Sequence, residues 1–189
     1  MVRIVNRTIN KILGTFNYKI VRKRGELFDR AMEDEFVEIY EKCKDFTETG
    51  VEKMYSLYKA TKYIIERKIP GALVECGVYK GGSAMVMART LNKMNAADRK
   101  IYLYDTFAGM SEPSDHDVSF NGAVASEQWK KLQKNQYNQW VFSPLEDVKR
   151  NLYSTGYSKN NFHFVKGKVE ETIPGTMPEA VSLLRLDTD

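Results

Sequence analysis

Phe28, Met32, Phe36, Ile39 and Tyr40 recur at three- and four-residue intervals, which predicts a helix within residues 26–48. Val51, Met54, Leu57, Tyr58, Ile64 and Ile65 give a clearer apolar face over 51–68, and Pro70-Gly71 stops it. The period then disappears. Ala72–Cys76 is a short run of buried-strand type, followed by glycines and a helix over about 82–94 carrying Ala84, Met85, Met87, Ala88 and Leu91. Ile101–Asp105 reads as a second strand. Residues 106–142 break the alternation and are too long for an ordinary strand-to-helix connection, so they read as a lid, with Trp129–Trp140 predicted helical. The alternation resumes with a helix over 144–155 and a third strand from Phe162 that continues through Val165 into Val169. A short helix or turn over Glu170–Pro174 leads to a fourth strand over Val181–Asp187. This order predicts an α/β domain over 71–189 with about four parallel strands, behind a basic segment and helical cap over 1–70.

The turn after the first strand carries the most chemistry. It reads Glu75-Cys76-Gly77-Val78-Tyr79-Lys80-Gly81-Gly82-Ser83. A dinucleotide fingerprint needs a second glycine where Tyr79 stands, because a pyrophosphate requires bare backbone near the helix start. No G-x-x-x-x-G-K-[ST] phosphate cradle is present either. The remaining pattern, E-x-G-x-x-x-G-G, suits S-adenosylmethionine, which has no phosphates and carries an amino-acid tail. Glu75 would help to position the tail's ammonium group, and Asp105, at the end of the second strand, would accept hydrogen bonds from the ribose hydroxyls. The plainer alternative is a glycine turn of any α/β protein.

Composition narrows the class. Hydrophobic residues make up 42% and charged residues 29%, ordinary for a globular protein, and no apolar run approaches the ~20 residues of a membrane span. The basic N-terminus lacks the apolar core and cleavage site of a secretory signal. Cys43 and Cys76 fall in different elements, so a disulfide is not expected and a reducing cytoplasm is the expected location. The net charge of +4 is concentrated in residues 1–24, where Arg3, Arg7, Lys11, Lys19, Arg22, Lys23 and Arg24 meet no acid. Apolar residues interleave with these charges. An amphipathic helix on a membrane surface is one reading, and a helix packed on the domain or on a second subunit of a homodimer is the favoured one. No nucleic-acid reading motif accompanies the charge, so no nucleic-acid partner is expected.

Four motifs, in order over about residues 50–189, resemble the macrocin O-methyltransferase family: Ile69–Ser83, Asp105–Met110, Phe164–Pro174 and Leu184–Asp189. The resemblance implies a Rossmann-like class I methyltransferase fold with S-adenosylmethionine as donor. It implies O-methylation of a sugar hydroxyl on a small-molecule or glycan acceptor, assisted by a divalent cation such as Mg2+. By position, Glu75, Gly77, Gly81, Gly82 and Ser83 would surround the methionine part of the donor. Tyr79 and Thr106 belong to the same two motifs and join the donor-contact set. Asp105 would hold the ribose, and Gly167, Lys168 and Val169 would lie near the adenine. Asp187 would serve as metal ligand, general base or both, with Asp189 a second metal candidate; the plainer role for Asp187 is a helix cap.

Other residues carry less. His116 reads as a surface loop residue, His163 as a satisfied structural residue within a strand, and Cys76 as a small core residue. The lid aromatics either cover a ligand or glue the lid to the body. The unprotected fourth strand leads us to expect the front part of a longer protein. The alternative to an active enzyme is a truncated or degenerate donor-binding module.

Overall fold

A computed structural model describes residues 32–114, 117 and 124–188. Those from Glu33 onward belong to one compact unit. The basic segment 1–24, His116 and Asp189 lie outside the described residues.

Helix α1 (Asp34–Glu41), a 3-10 turn (Lys44–Phe46) and α2 (Val51–Glu66) precede the sheet. Strand β1 (Ala72–Cys76), α3 (Gly82–Lys93) and β2 (Ile101–Asp105) follow. Helix α4 (Ala125–Leu132) lies in the lid, and α5 (Leu145–Tyr153), β3 (Phe162–Lys166), α6 (Val169–Thr176) and β4 (Val181–Leu186) complete the order. The four strands form one parallel sheet in the order β3-β2-β1-β4. The chain builds outward from β1 through β2 to β3, then returns to the opposite side of β1. The gap beyond the carboxyl ends of β1 and β4 is therefore a topological switch point, where open α/β sheets bind ligands.

Every residue of β1 is buried, which explains its apolar run, interrupted only by Glu75. On one face α3 packs with α2; Met85, Val86, Met87, Ala88 and Leu91 are all buried. On the other face Val74, Cys76 and Tyr104 meet Val169 and Ile173 of α6. Leu184 and Leu186 pair in register with Val74 and Cys76, yet they are 50% and 65% exposed. The cap is tied down by Glu33, whose carboxylate accepts hydrogen bonds from Lys59, Lys62 and Tyr58 and is thereby held down to about 2.

Several boundaries differ from the expectations. The first helix stops at Glu41 because the chain turns to bury Cys43 and to bring the backbone of Phe46 and the side chain of Thr47 against α3. The third strand ends at Lys166, where Gly167 turns the chain and Lys168 caps α6; Val169 is therefore helical. The lid helix is Ala125–Leu132 rather than Trp129–Trp140. Gln133 and Asn138 form an antiparallel bridge, and the buried Asn138 amide donates to Trp129 O and accepts from Trp140 N, so the chain reverses where a longer helix would have run.

Candidate functional site

A cleft of about 420 Å³ opens at the carboxyl ends of β1, β2 and β4. This size falls within the ~300–1,000 Å³ range of small-molecule sites. Glu75, Gly77, Tyr79 and Ser83 line it from the β1–α3 turn. Asp105 and Thr106 line it from the end of β2. Gly167, Lys168 and Val169 contribute from the β3–α6 turn, and Asp187 from the end of β4. The residues expected around the donor thus converge on one cavity, with the exception of Gly81 and Gly82, which do not line it.

The two glycines of the turn that matter most are constrained by packing. A Cβ on Gly77, whose φ is +82°, would lie 2.3 Å from Asp187 O. The bare α-carbon lets β4 end against the turn, where Asp187 N donates to Cys76 O at 2.9 Å. A Cβ on Gly82 would lie 2.6 Å from Phe46 O and 2.7 Å from Thr47 Cβ. Gly82 therefore admits the cap loop, and through it the cap reaches the cleft.

Asp105 organises the turn. Its Oδ2 accepts from Val78 N and Tyr79 N at 2.7 and 3.2 Å, and its Oδ1 from Phe107 N at 2.6 Å. A carboxylate offers about four lone-pair sites, so acceptor capacity remains for a ligand hydroxyl. Thr106 Oγ1 donates to Gly109 O and accepts from Ala108 N, which folds the chain into the lid.

Glu75 is 1% exposed. Burial pushes its carboxyl up to about 7; the Arg185 guanidinium opposes this and Asp187 adds to it. Oε1 accepts from Arg185 Nη1 at 2.8 Å, whereas Oε2 is buried without a hydrogen-bond partner. A buried carboxylate oxygen left bare in a cleft wall is suited to a cationic ligand group, since leaving it unpaired is costly.

Part of the wall carries no signature in the sequence. Phe46, Thr47, Thr49 and Lys53 of the cap face the cleft, as do Met110 and Val141 of the lid and Arg185 of β4. Val141 has a φ of +45°, a strained conformation for a β-branched residue. The large lid aromatics are not in the wall. Trp129 Nε1 donates to Met110 O, and Tyr137 stacks on Phe142 at 4.2 Å, so they fasten the lid. Cys76 is buried, and burial raises its thiol pKa. His163 stacks on Tyr102 away from the cleft; contrary to the satisfied residue expected, its Nε2 is buried without a partner, and burial lowers its pKa.

The metal expectation fares differently from the donor. Among the described residues no three acidic, histidine or cysteine groups gather to hold an ion. Asp187 Oδ2 is engaged by Arg185 Nη2 at 2.8 Å. The described residues do not fit a divalent cation. Among them, also, no helix is long and apolar enough to cross a membrane.

A family model described as Macrocin-O-methyltransferase (TylF) matches residues 41–189. The chain is 27% identical over 143 residues to 8-demethyl-8-(2,3-dimethoxy-alpha-L-rhamnosyl)-tetracenomycin-C 4'-O-methyltransferase of Streptomyces olivaceus, covering 76% of this chain and 52% of that protein. It is 25% identical over 143 residues to demethyldecarbamoylnovobiocin O-methyltransferase of Streptomyces niveus, with the same coverage of 76% and 52%. It is 26% identical over 145 residues to mycinamicin III 3''-O-methyltransferase of Micromonospora griseorubida, covering 76% and 54%. The chain thus spans about half the length of these relatives. Among solved structures, the O-methyltransferase NovP superposes with a TM-score of 0.62 at 23% identity, over 76% of this chain and 56% of that one. That likeness is one of fold.

Proposed function

The chain belongs to the Macrocin-O-methyltransferase (TylF) family, and from that premise we propose that it binds S-adenosylmethionine in the cleft and directs methyl transfer to a hydroxyl of a sugar or glycosylated small molecule. The observation that carries the reading is Glu75 Oε2, a buried carboxyl oxygen without a hydrogen-bond partner, in a cleft that Asp105 also lines. The first fits the ammonium of the donor's amino-acid tail and the second its ribose hydroxyls. The relatives supply the acceptor class; one is named for a rhamnosyl-bearing tetracenomycin.

When bound, S-adenosylmethionine supplies a methyl group on a positively charged sulfonium, already activated for in-line displacement. What the protein adds is alignment. Glu75, Ser83 and the bare backbone of Gly77 hold the tail end. Asp105 holds the ribose, and Gly167, Lys168 and Val169 form the adenine side. Asp187, half-exposed at the mouth, is the candidate general base: it takes the proton of the acceptor hydroxyl as the oxygen forms its new bond to carbon.

Calorimetric titration with S-adenosylmethionine tests the binding half, followed by transfer of labelled methyl to glycoside acceptors for the catalytic half. Saturable binding with turnover that Asp187→Asn abolishes is the expected result. Binding without turnover on any glycoside would reduce the protein to a donor-binding module, and no binding by folded protein would overturn the reading.

A further inference from the structure

We propose that Arg185 is a positioning residue that presents Glu75 to the amino-acid tail of the donor and locks the cap loop beside it. This rests on the donor-site reading given above. Arg185 stands opposite Glu75 in the register of the parallel pair β1–β4, so the sheet itself sets the two side chains next to each other. Its side chain is 14% exposed and makes three contacts. Nη1 donates to Glu75 Oε1 at 2.8 Å, and Nη2 donates to Asp187 Oδ2 at 2.8 Å and to Thr49 Oγ1 at 3.0 Å. One guanidinium thus joins the end of β1, the end of β4 and the cap.

The consequence for Glu75 is orientation. With Oε1 engaged by the guanidinium, Oε2 is the oxygen left without a hydrogen-bond partner, on a carboxyl that lines the cleft with Ser83 beside it. The charges point the same way. A ligand ammonium beside Oε2 would offset the burial that pushes the Glu75 carboxyl up, and so favour its charged form next to the guanidinium. Thr49 extends the arrangement to the cap, whose loop forms the wall of the cleft beside Glu75. A lysine could not reproduce this, because its point charge lacks the planar fork that reaches separate acceptors at fixed angles.

The test compares two ligands that differ in the amino-acid tail alone, S-adenosylhomocysteine and 5'-methylthioadenosine, by calorimetry on the full chain. Arg185→Lys is expected to weaken S-adenosylhomocysteine tenfold or more and to leave 5'-methylthioadenosine within twofold. Thr49→Val should shift the first ligand alone, by a smaller factor. Since Arg185→Lys can disturb folding, the paired variant Glu75→Gln/Arg185→Met, which removes both buried charges together, provides the second measurement. It should bind 5'-methylthioadenosine as the wild type does and lose the preference for the tail. Equal weakening of both ligands in Arg185→Lys, or an unchanged tail preference in the paired variant, would overturn the role of Arg185. Failure of the wild type to bind either ligand would instead overturn the donor-site reading beneath it.

Discussion

Asp105 Oδ2 accepts a hydrogen bond from Val78 N at 2.7 Å, so the carboxylate that ends β2 holds the turn that ends β1. The residue expected to read a ribose also builds the turn proposed to surround the donor tail. Asp105→Ala should therefore lose donor binding and also destabilise the protein by about 1–3 kcal/mol, because Val78, Tyr79 and Phe107 lose their acceptor. Asp105→Asn keeps one acceptor oxygen and should lose less of both. Thermal melts beside donor titrations of the two variants check this; a variant that loses affinity with unchanged stability would separate the two roles.

Glu75 makes stability depend on pH in a defined direction. Its folded value, about 7, lies above the ordinary 4.5, so the native state holds the proton more tightly than the unfolded chain. The resulting stabilisation is complete below about pH 4.5 and is lost as pH rises through about 7. The loss is on the order of 3 kcal/mol. Urea midpoints at pH 5 and pH 8 should show it in the wild type and not in Glu75→Gln. Glu33, held down to about 2, acts in the opposite sense and only below pH 4.5, outside this window.

Gly77→Ala forces a Cβ to within 2.3 Å of Asp187 O, with an unfavourable φ besides. Neither backbone can yield without breaking the Asp187 N to Cys76 O bond. A destabilisation of about 1–3 kcal/mol is expected, together with loss of methyl transfer through displacement of Asp187. Denaturant melts and a transfer assay read the two effects.

Asn138 is the fastener of the lid. Its amide group bonds Trp129 O, Gln133 Oε1 and Trp140 N, and its backbone N donates to Ala108 O. Removing a buried hydrogen-bonding amide leaves partners unsatisfied at about 1–3 kcal/mol. Asn138→Ala should accordingly accelerate hydrogen exchange over residues 125–142 while the amides of β1 and α3 stay protected. Uniform acceleration across the sheet would mean that the lid and the core open together.

Leu184 and Leu186 project from an edge strand into solvent. Exposed apolar edges promote association. Replacing both by Thr should lower the proportion of large species in light scattering at a given concentration without lowering donor affinity, since neither side chain lines the cleft.

The parts of the fold that sequence made legible are those with local causes. Ala72–Cys76 reads as a buried strand because both its faces are covered, and Asp105 was located because it ends the neighbouring strand. The lid was harder. Trp129 to Trp140 suggest a helix, but the reversal depends on a buried Asn138 whose side chain bonds Trp129 O and Trp140 N and whose backbone N reaches back to Ala108 O. Arg185 and Thr49 were not legible as site residues. Nothing in Leu184-Arg185-Leu186 indicates that strand register will set the arginine beside Glu75, or that a threonine from before the sheet will meet it. The cap reaches the cleft through tertiary packing, for which no local pattern exists.

The contact of Gly82 with Phe46 and Thr47 bears on how this domain can be recombined with its relatives. The backbone of Phe46 and the side chain of Thr47 occupy the space that any side chain at position 82 would fill. A chimera that exchanges the helices ahead of the sheet must therefore carry a glycine at that position in the recipient, or the exchanged segment will not seat and the cleft will lose the wall formed by Thr47, Thr49 and Lys53. The segment that must be exchanged as one piece to keep the cleft wall thus begins well before the glycine turn, in the helical region ahead of the sheet.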